Sequence, residues 1–311
     1  MAEAVTVRER GAPPARPARR FPTSWIGLLP FFLFSFLFIV LPTFYLVTGS
    51  LQKSCSVGST DTTCVEGAFT LKNYSDLSTG IIPQAAFTSI EVSLVTAIVG
   101  GILGFLMAYA IIMGGLPSFL RTAVSTFSGV ASNFAGVPLA LAFVFTLGQL
   151  GVVTTILRQD FGFNIYDAGF SLSGKLGLEL VYLYFQIPLM ILVIAPAIDG
   201  LKKEWREAAE NMGASSSEYW RRVALPILTP SILGTMILLF GNAFGAQATA
   251  YQLTGGALPL LTLVISSQIS GDVLHNPGLG YAVAMMMIAI MAISIGLYTV
   301  LQRRSERWLR S

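Results

Sequence analysis

EWREAAENMGASSSEYWRRVALP, residues 204–226, is the stretch on which the reading of this chain turns. It is charged and punctuated, whereas the long segments around it are almost free of charge. Leu201, Trp205, Ala208 and Met212 recur at i, i+4, i+7 and i+11, which predicts a short helix with one apolar stripe. Glu204, Arg206, Glu207 and Glu210 occupy its other faces. Gly213 supplies the left-handed conformation that ends a helix, and Ser215 with Glu218 predicts a capping box that opens another. Pro226 and Pro230 are expected to break or redirect the chain beyond it. The stretch therefore reads as two short helices joined at a tight glycine turn.

The surroundings explain why so charged a segment stands out. Of 311 residues, 54% are hydrophobic and 11% charged, against about 25% charged in an average soluble domain. Apolar blocks occupy residues 25–47, 87–113, 122–148, 177–197, 231–251 and 279–301. Each is long enough to cross a hydrocarbon core about 30 Å thick, which takes roughly 20 helical residues. Runs such as FFLFSFLFIV (31–40) and AVAMMMIAIMAISIGL (282–297) lack the alternation of a spanning barrel. The expected fold is an all-α integral membrane protein of six spans, with the helix–turn–helix of 199–228 placed before the fifth.

Basic residues set the orientation. With the N-terminus inside, the N-terminal tail, the 114–121 loop, the 199–228 loop and the C-terminus together hold all but Lys53, Lys72, Arg158 and Lys175 of the 19 Lys and Arg. The positive-inside rule thus places both termini and the 204–226 stretch in the cytoplasm. Residues 1–22 form a Pro-, Ala- and Arg-rich tail expected to be disordered, 23–302 the membrane domain, and 303–311 a short basic tail.

The outer loops offer little chemistry. Cys55 and Cys64 lie in the first, either joined as a disulfide on an oxidising face or as two free thiols. His275, the only histidine, stands in another outer loop without a metal-binding companion. Asn73-Tyr74-Ser75 matches a glycosylation acceptor, a tripeptide common by chance. GFSLSGK (169–175) imitates half of a phosphate-binding loop, but Leu176 follows where a magnesium-binding hydroxyl belongs and no strand leads in. Nothing pairs a nucleophile with a base, so the chain is expected to be non-catalytic and to bind no metal or cofactor of its own.

Transport remains, and with it the question of what drives it. An ion-gradient-driven secondary carrier, the competing reading, needs ionisable groups within its spans. Here Glu91, Glu179 and Asp199 sit near the ends of the blocks and their middles carry none. A short amphipathic helix beside a bilayer can also simply lie in the interface or pack beneath its own bundle.

The spacing within 204–226 adds a resemblance. Glu207-Ala208-Ala209, three residues, Gly213, nine residues, Val223, one residue, then Leu225-Pro226 resembles the EAA signature of permease subunits of binding-protein-dependent type I ABC importers, with Val in the place of Ile. The likeness extends over residues 85–301, and in texture the C-terminal part is similar to the polyamine, phosphonate and iron branch. It implies that the elbow docks on a separate cytoplasmic ATPase dimer, which carries the ATP and Mg. Glu207 would be the acidic contact, Ala208 and Ala209 the small side chains of close approach, Gly213 the turn, and Pro226 the start of the next span. It also implies a second permease copy or paralogue, an extracytoplasmic solute-binding protein and a bacterial inner membrane, with no nucleic-acid partner.

For the solute path, Asn242, Gly245, Thr249 and Gln252 fall at i, i+3, i+7 and i+10 on one predicted face of the fifth span. Helix packing is the competing use, since Gly241 and Gly245, like Gly100 and Gly104, form G-x-x-x-G. Glu91, near an outer span end, would attract a cationic solute or simply reach the headgroups.

Overall fold

The computed structural model describes residues 24–54, 65–270 and 276–310, with side chains over 27–54, 65–270 and 276–303. Cys55, Cys64, His275 and the basic tail before residue 24 lie outside the described residues. Contacts divide the chain into two units, Met1–Tyr45 and Leu46–Ser311. Apart from an isolated bridge between Gln52 and Phe69, the described residues form helices and turns without strands.

The helices are α1 (Ser24–Ser35), α2 (Leu41–Ser50), α3 (Lys72–Asp76), α4 (Ile82–Met113), α5 (Ser118–Asn133), α6 (Val137–Leu147), α7 (Val152–Asp160), α8 (Lys175–Asp199), α9 (Lys203–Asn211), α10 (Ser216–Tyr219), α11 (Leu225–Phe244), α12 (Gln247–Thr254), α13 (Leu261–Ser270) and α14 (Pro277–Arg310). Among the described residues six helical stretches are long and apolar enough to span a membrane: Gly27–Ser50, Ile82–Met113, Val137–Asp160, Lys175–Asp199, Ser216–Phe244 and Pro277–Arg303. The expected count of spans is met. The last helix continues through the expected tail to Arg310.

In the first unit, a π-turn over Phe36–Val40 separates α1 from α2, and the Leu41 N–H bonds back five residues to Phe36. Pro42 comes next, without an N–H for the carbonyl four residues before it. The same device recurs in the second unit. A π-turn over Trp220–Ala224 precedes Pro226, and the Leu225 N–H reaches the Trp220 carbonyl. The widened turn absorbs the proline, so α10, the π-turn and α11 run on as one stretch, Ser216–Phe244. Of the two outcomes expected of Pro226 and Pro230, a break or a redirection of the chain, the continuous helical stretch removes the first.

α8 is the centre of the second unit and packs against α4, α5 and α11. Leu178, Val181, Tyr182, Phe185, Met190, Ile194 and Ile198 are fully or almost fully buried along it. Lipid is as apolar as these side chains, so close packing, more than removal from water, holds such helices together. Gly104 shows how close: a Cβ there would stand 2.5 Å from the Met190 Cβ and 2.7 Å from the Ile187 carbonyl oxygen. The 100/104 glycine pair thus serves packing of α4 on α8. At 241/245 only the first does so, Gly241 facing Met291 of α14, because Gly245 is where α11 ends.

Two ion pairs mark the ends of this bundle. Lys175 pairs with Glu91 where α8 begins, and Arg121 pairs with Asp199 where it finishes. Lys175, the lysine of the phosphate-loop look-alike, is thereby engaged. Asn73 is buried, and its amide donates to the Ser50 and Gln52 carbonyls at 2.9 Å each. A glycan has no access to it.

Two spans differ from their predicted form. The third apolar block is interrupted at Phe134–Gly136, where Gly136 has φ +77°. The fifth ends at Gly245, and α12 starts afresh at Gln247 after Ala246 at ψ 83°. Thr249 joins the two interruptions: its hydroxyl accepts the Gly136 N–H at 2.8 Å, satisfying a donor left open by the start of α6.

Candidate functional site

The charged stretch folds as the turn chemistry requires. The Gly213 N–H donates to the Glu210 carbonyl at 2.9 Å and the Ala214 N–H to the Ala209 carbonyl at 3.0 Å, with Gly213 at φ +80°. That pair of bonds is a Schellman motif, open to glycine because the left-handed region costs other residues about 1–2 kcal/mol. Two residues on, Ser215 and Glu218 complete the capping box, the Glu218 carboxylate accepting the Ser215 N–H at 3.0 Å. Two helices meet at this elbow, α9 before it and α10 after.

One face of the elbow is anchored and the other is open. Ala209 and Tyr219 are buried in the same apolar cluster as Ile194, Ile198, Leu201, Ala224 and Leu228. Trp220 stands edge-on to Tyr109 of α4, ring centres 4.6 Å apart. Outside that cluster Glu207, Ala208 and Met212 are exposed, Met212 by 81%. Trp205 is 37% exposed, with the Lys202 ammonium 5.8 Å from its ring centre. Arg206 pairs with Glu210 at 2.8 Å, whereas Glu207 has no ion pair among the described residues.

The residues of the predicted stripe divide between two environments. Leu201 faces the bundle, but Trp205, Ala208 and Met212 do not; the buried contact is Ala209. Ala208 and Ala209 consequently differ in role, since only Ala208 is accessible to anything outside the chain. Val223 is half-buried against the bundle, while Leu225 and Pro226 are exposed.

The polar residues of the fifth span are scattered by the break at Gly245. Asn242 is on α11; Thr249 and Gln252 are on α12, so they do not share one continuous helical face. Asn242 and Gln252 are exposed. Thr249 is 2% exposed, with its hydroxyl committed to Gly136. Glu91 is held by Lys175.

In their place the structure brings together Gln247 and Tyr251 of α12 with Ser266, Gln268 and Ser270 of α13. They line a cleft of about 710 Å³ whose walls include Ile81, Val137, Leu260 and Leu263. The i, i+4 relation of Gln247 and Tyr251 was visible, but it acquires meaning only once a helix starts at 247.

Residues 100–307 match the family described as "Binding-protein-dependent transport system inner membrane component". The chain is 27% identical over 223 residues to the probable sulfate transport system permease protein cysT of Chlorella vulgaris, covering 71% of this chain and 78% of that protein. It is also 27% identical over 236 residues to the spermidine/putrescine transport system permease protein PotB of Haemophilus influenzae, covering 74% and 78%. A crystal structure of a bacterial ABC transporter involved in import of the acidic polysaccharide alginate contains a chain of the same fold, with TM-score 0.68 at 17% identity over 91% of this chain and 95% of that one.

Proposed function

The chain belongs to the binding-protein-dependent transport system inner membrane component family, the permease subunits of ABC importers, and from that membership we propose that it forms the path of a small polar solute and takes its drive from a separate ATPase through the 204–226 elbow. The observation that supports this reading is the two-sidedness of the elbow. A membrane bundle responds to ATP hydrolysis elsewhere only through a part that protrudes yet is rigidly rooted. Here the root is Ala209, Tyr219 and Trp220, and the protruding face is Glu207, Ala208 and Met212.

In this reading Glu207 meets a basic or hydrogen-bonding group of the ATPase and Ala208 lets its surface approach closely. Ala209 and Gly213 set the shape. Val223, Leu225 and Pro226 carry displacement into α11 through the π-turn. A pair of such chains, identical or paralogous, presents two elbows to an ATPase dimer that holds ATP and Mg, and closure of that dimer tilts the spans. An extracytoplasmic binding protein delivers the solute. The 23–302 region is the permease domain, and the termini and the elbow face the cytoplasm of a bacterial inner membrane. Asn242 and Gln252, exposed on either side of the Gly245 break, are assigned to the path. Glu91 acts there as half of an ion pair with Lys175. Thr249 holds the two broken spans together.

The test is ATP-driven solute uptake by membrane vesicles together with recovery of the ATPase on affinity-tagged chain. Glu207→Lys is expected to abolish both while leaving membrane insertion unchanged. Full uptake by an inserted Glu207→Lys chain would remove the elbow from the mechanism. Uptake by the chain alone in liposomes, driven by an ion gradient, would replace this reading with a secondary carrier.

A further inference from the structure

The cleft between α12 and α13 has a chemistry that selects among solutes, and its use as a solute site rests on the chain being a permease. Its volume, about 710 Å³, falls within the roughly 300–1,000 Å³ usual for small-molecule sites. Among the described residues its lining contains no Asp, Glu, Lys, Arg or His. The side chains of Gln247, Tyr251, Ser266, Gln268 and Ser270 have no hydrogen-bond partner among the described residues, while Ser267 donates to the Val264 carbonyl at 2.8 Å. Two primary amides, a phenol and two hydroxyls thus offer donors and acceptors in comparable number, beside an aromatic ring that is 60% exposed.

Each charged class fits poorly. A polyamine would find no carboxylate among the described lining residues, and a desolvated unpaired charge is strongly unfavourable. The starts of α6, α12 and α13 also border the cleft at Val137, Gln247 and Leu260, where backbone dipoles oppose a cation. An oxyanion would find no Lys or Arg, and the helix starts are partly spoken for. Pro138 has no N–H, the Leu261 N–H is taken by the Ser89 hydroxyl at 2.9 Å, and the Gly136 N–H by Thr249. A ligand dense in hydroxyl groups, each both donor and acceptor, matches neutral amides and hydroxyls, and the faces of its carbon skeleton suit the tyrosine ring and the apolar walls.

We propose that this cleft is a solute-binding site for an uncharged polyhydroxylated molecule of the sugar or polyol class, contacted by Gln247, Tyr251 and Gln268. The site is built by the chain break at Gly245, which turns Gln247 and Tyr251 away from the line of α11 and toward α13. Irregular backbone at membrane depth is tolerated where it is buried or lines a cavity, and this break borders one.

The experiment uses the full-length chain in lipid nanodiscs, titrated calorimetrically with trehalose, maltose, sucrose and sorbitol, and separately with putrescine and with sulfate. At least one neutral probe is expected to bind saturably, and the charged probes are not. Gln247→Leu and Tyr251→Ala are expected to weaken that binding about tenfold or more, with Tyr251→Phe retaining most of it. Gln247→Glu is expected to admit putrescine. Monodisperse elution of each variant shows that it is folded. Saturable binding of putrescine or sulfate to the unaltered chain, neutral binding indifferent to both cleft variants, or no saturable binding by any neutral probe would each overturn the assignment. ATP-dependent uptake by vesicles, compared with and without the chain, keeps the two questions apart. Uptake of a charged solute alone leaves the permease reading standing and removes the polyol site, whereas absence of any ATP-dependent uptake removes the permease reading itself.

Discussion

Replacing Gly213 tests the elbow as a mechanical part, because its environment isolates one variable. A Cβ added there meets no atom within 4 Å, so size is not at issue; the backbone, at φ +80°, is. Gly213→Ala should therefore destabilise the elbow by the left-handed penalty alone, about 1 kcal/mol. Gly213→Asn should cost less, since asparagine visits that region more readily. Gly213→Pro is of another order. It removes the N–H that donates to Glu210 at 2.9 Å and fixes φ near −65°, for a combined penalty of about 3 kcal/mol or more. Amide hydrogen exchange at Ala214, whose N–H closes the turn onto Ala209, reads the local effect. ATP-driven uptake, normalised to inserted protein, reads the functional one. Both should run in the order Gly, Asn, Ala, Pro, with uptake lost for proline. Equal behaviour of alanine and proline, or full uptake by an inserted proline variant, would refute the argument that this turn's geometry transmits the drive.

The packing of the spans leads to three further outcomes. Gly104→Leu should lower the thermal unfolding temperature of the detergent-purified chain, because the side chain collides with Met190 and the Ile187 carbonyl; overpacking of this kind costs about 1–3 kcal/mol, and a change to alanine should cost less than one to leucine. Thr249→Val leaves the Gly136 N–H without its acceptor, a loss of about 1–3 kcal/mol, and faster proteolysis at residues 134–136 in the variant should report it. Gln186→Leu has the opposite sign: Gln186 is fully buried with its carbonyl oxygen unpartnered, though its amide reaches the Leu239 carbonyl at 2.8 Å. Replacing it by an apolar side chain of similar size should leave thermal stability unchanged or raise it.

What could be read in the sequence was whatever depends on local chemistry or on gross solubility. Six apolar blocks and the bias of Lys and Arg require only that charge is costly in hydrocarbon, and Gly213, Ser215 and Glu218 announce their turn because φ and capping are set within a few residues. Long-range pairing was not available by that route. No local pattern distinguishes Ala208 from Ala209, and only the tertiary cluster that also holds Ile194, Ile198 and Leu228 buries one and leaves the other open. The breaks at Gly136 and Gly245 lie in blocks without a charged residue, and Thr249 on one broken span satisfies the backbone of the other, 113 residues away. Hydropathy reports how a residue partitions between water and lipid, whereas a helix break inside a membrane stands or falls on whether a distant side chain supplies the missing hydrogen bond.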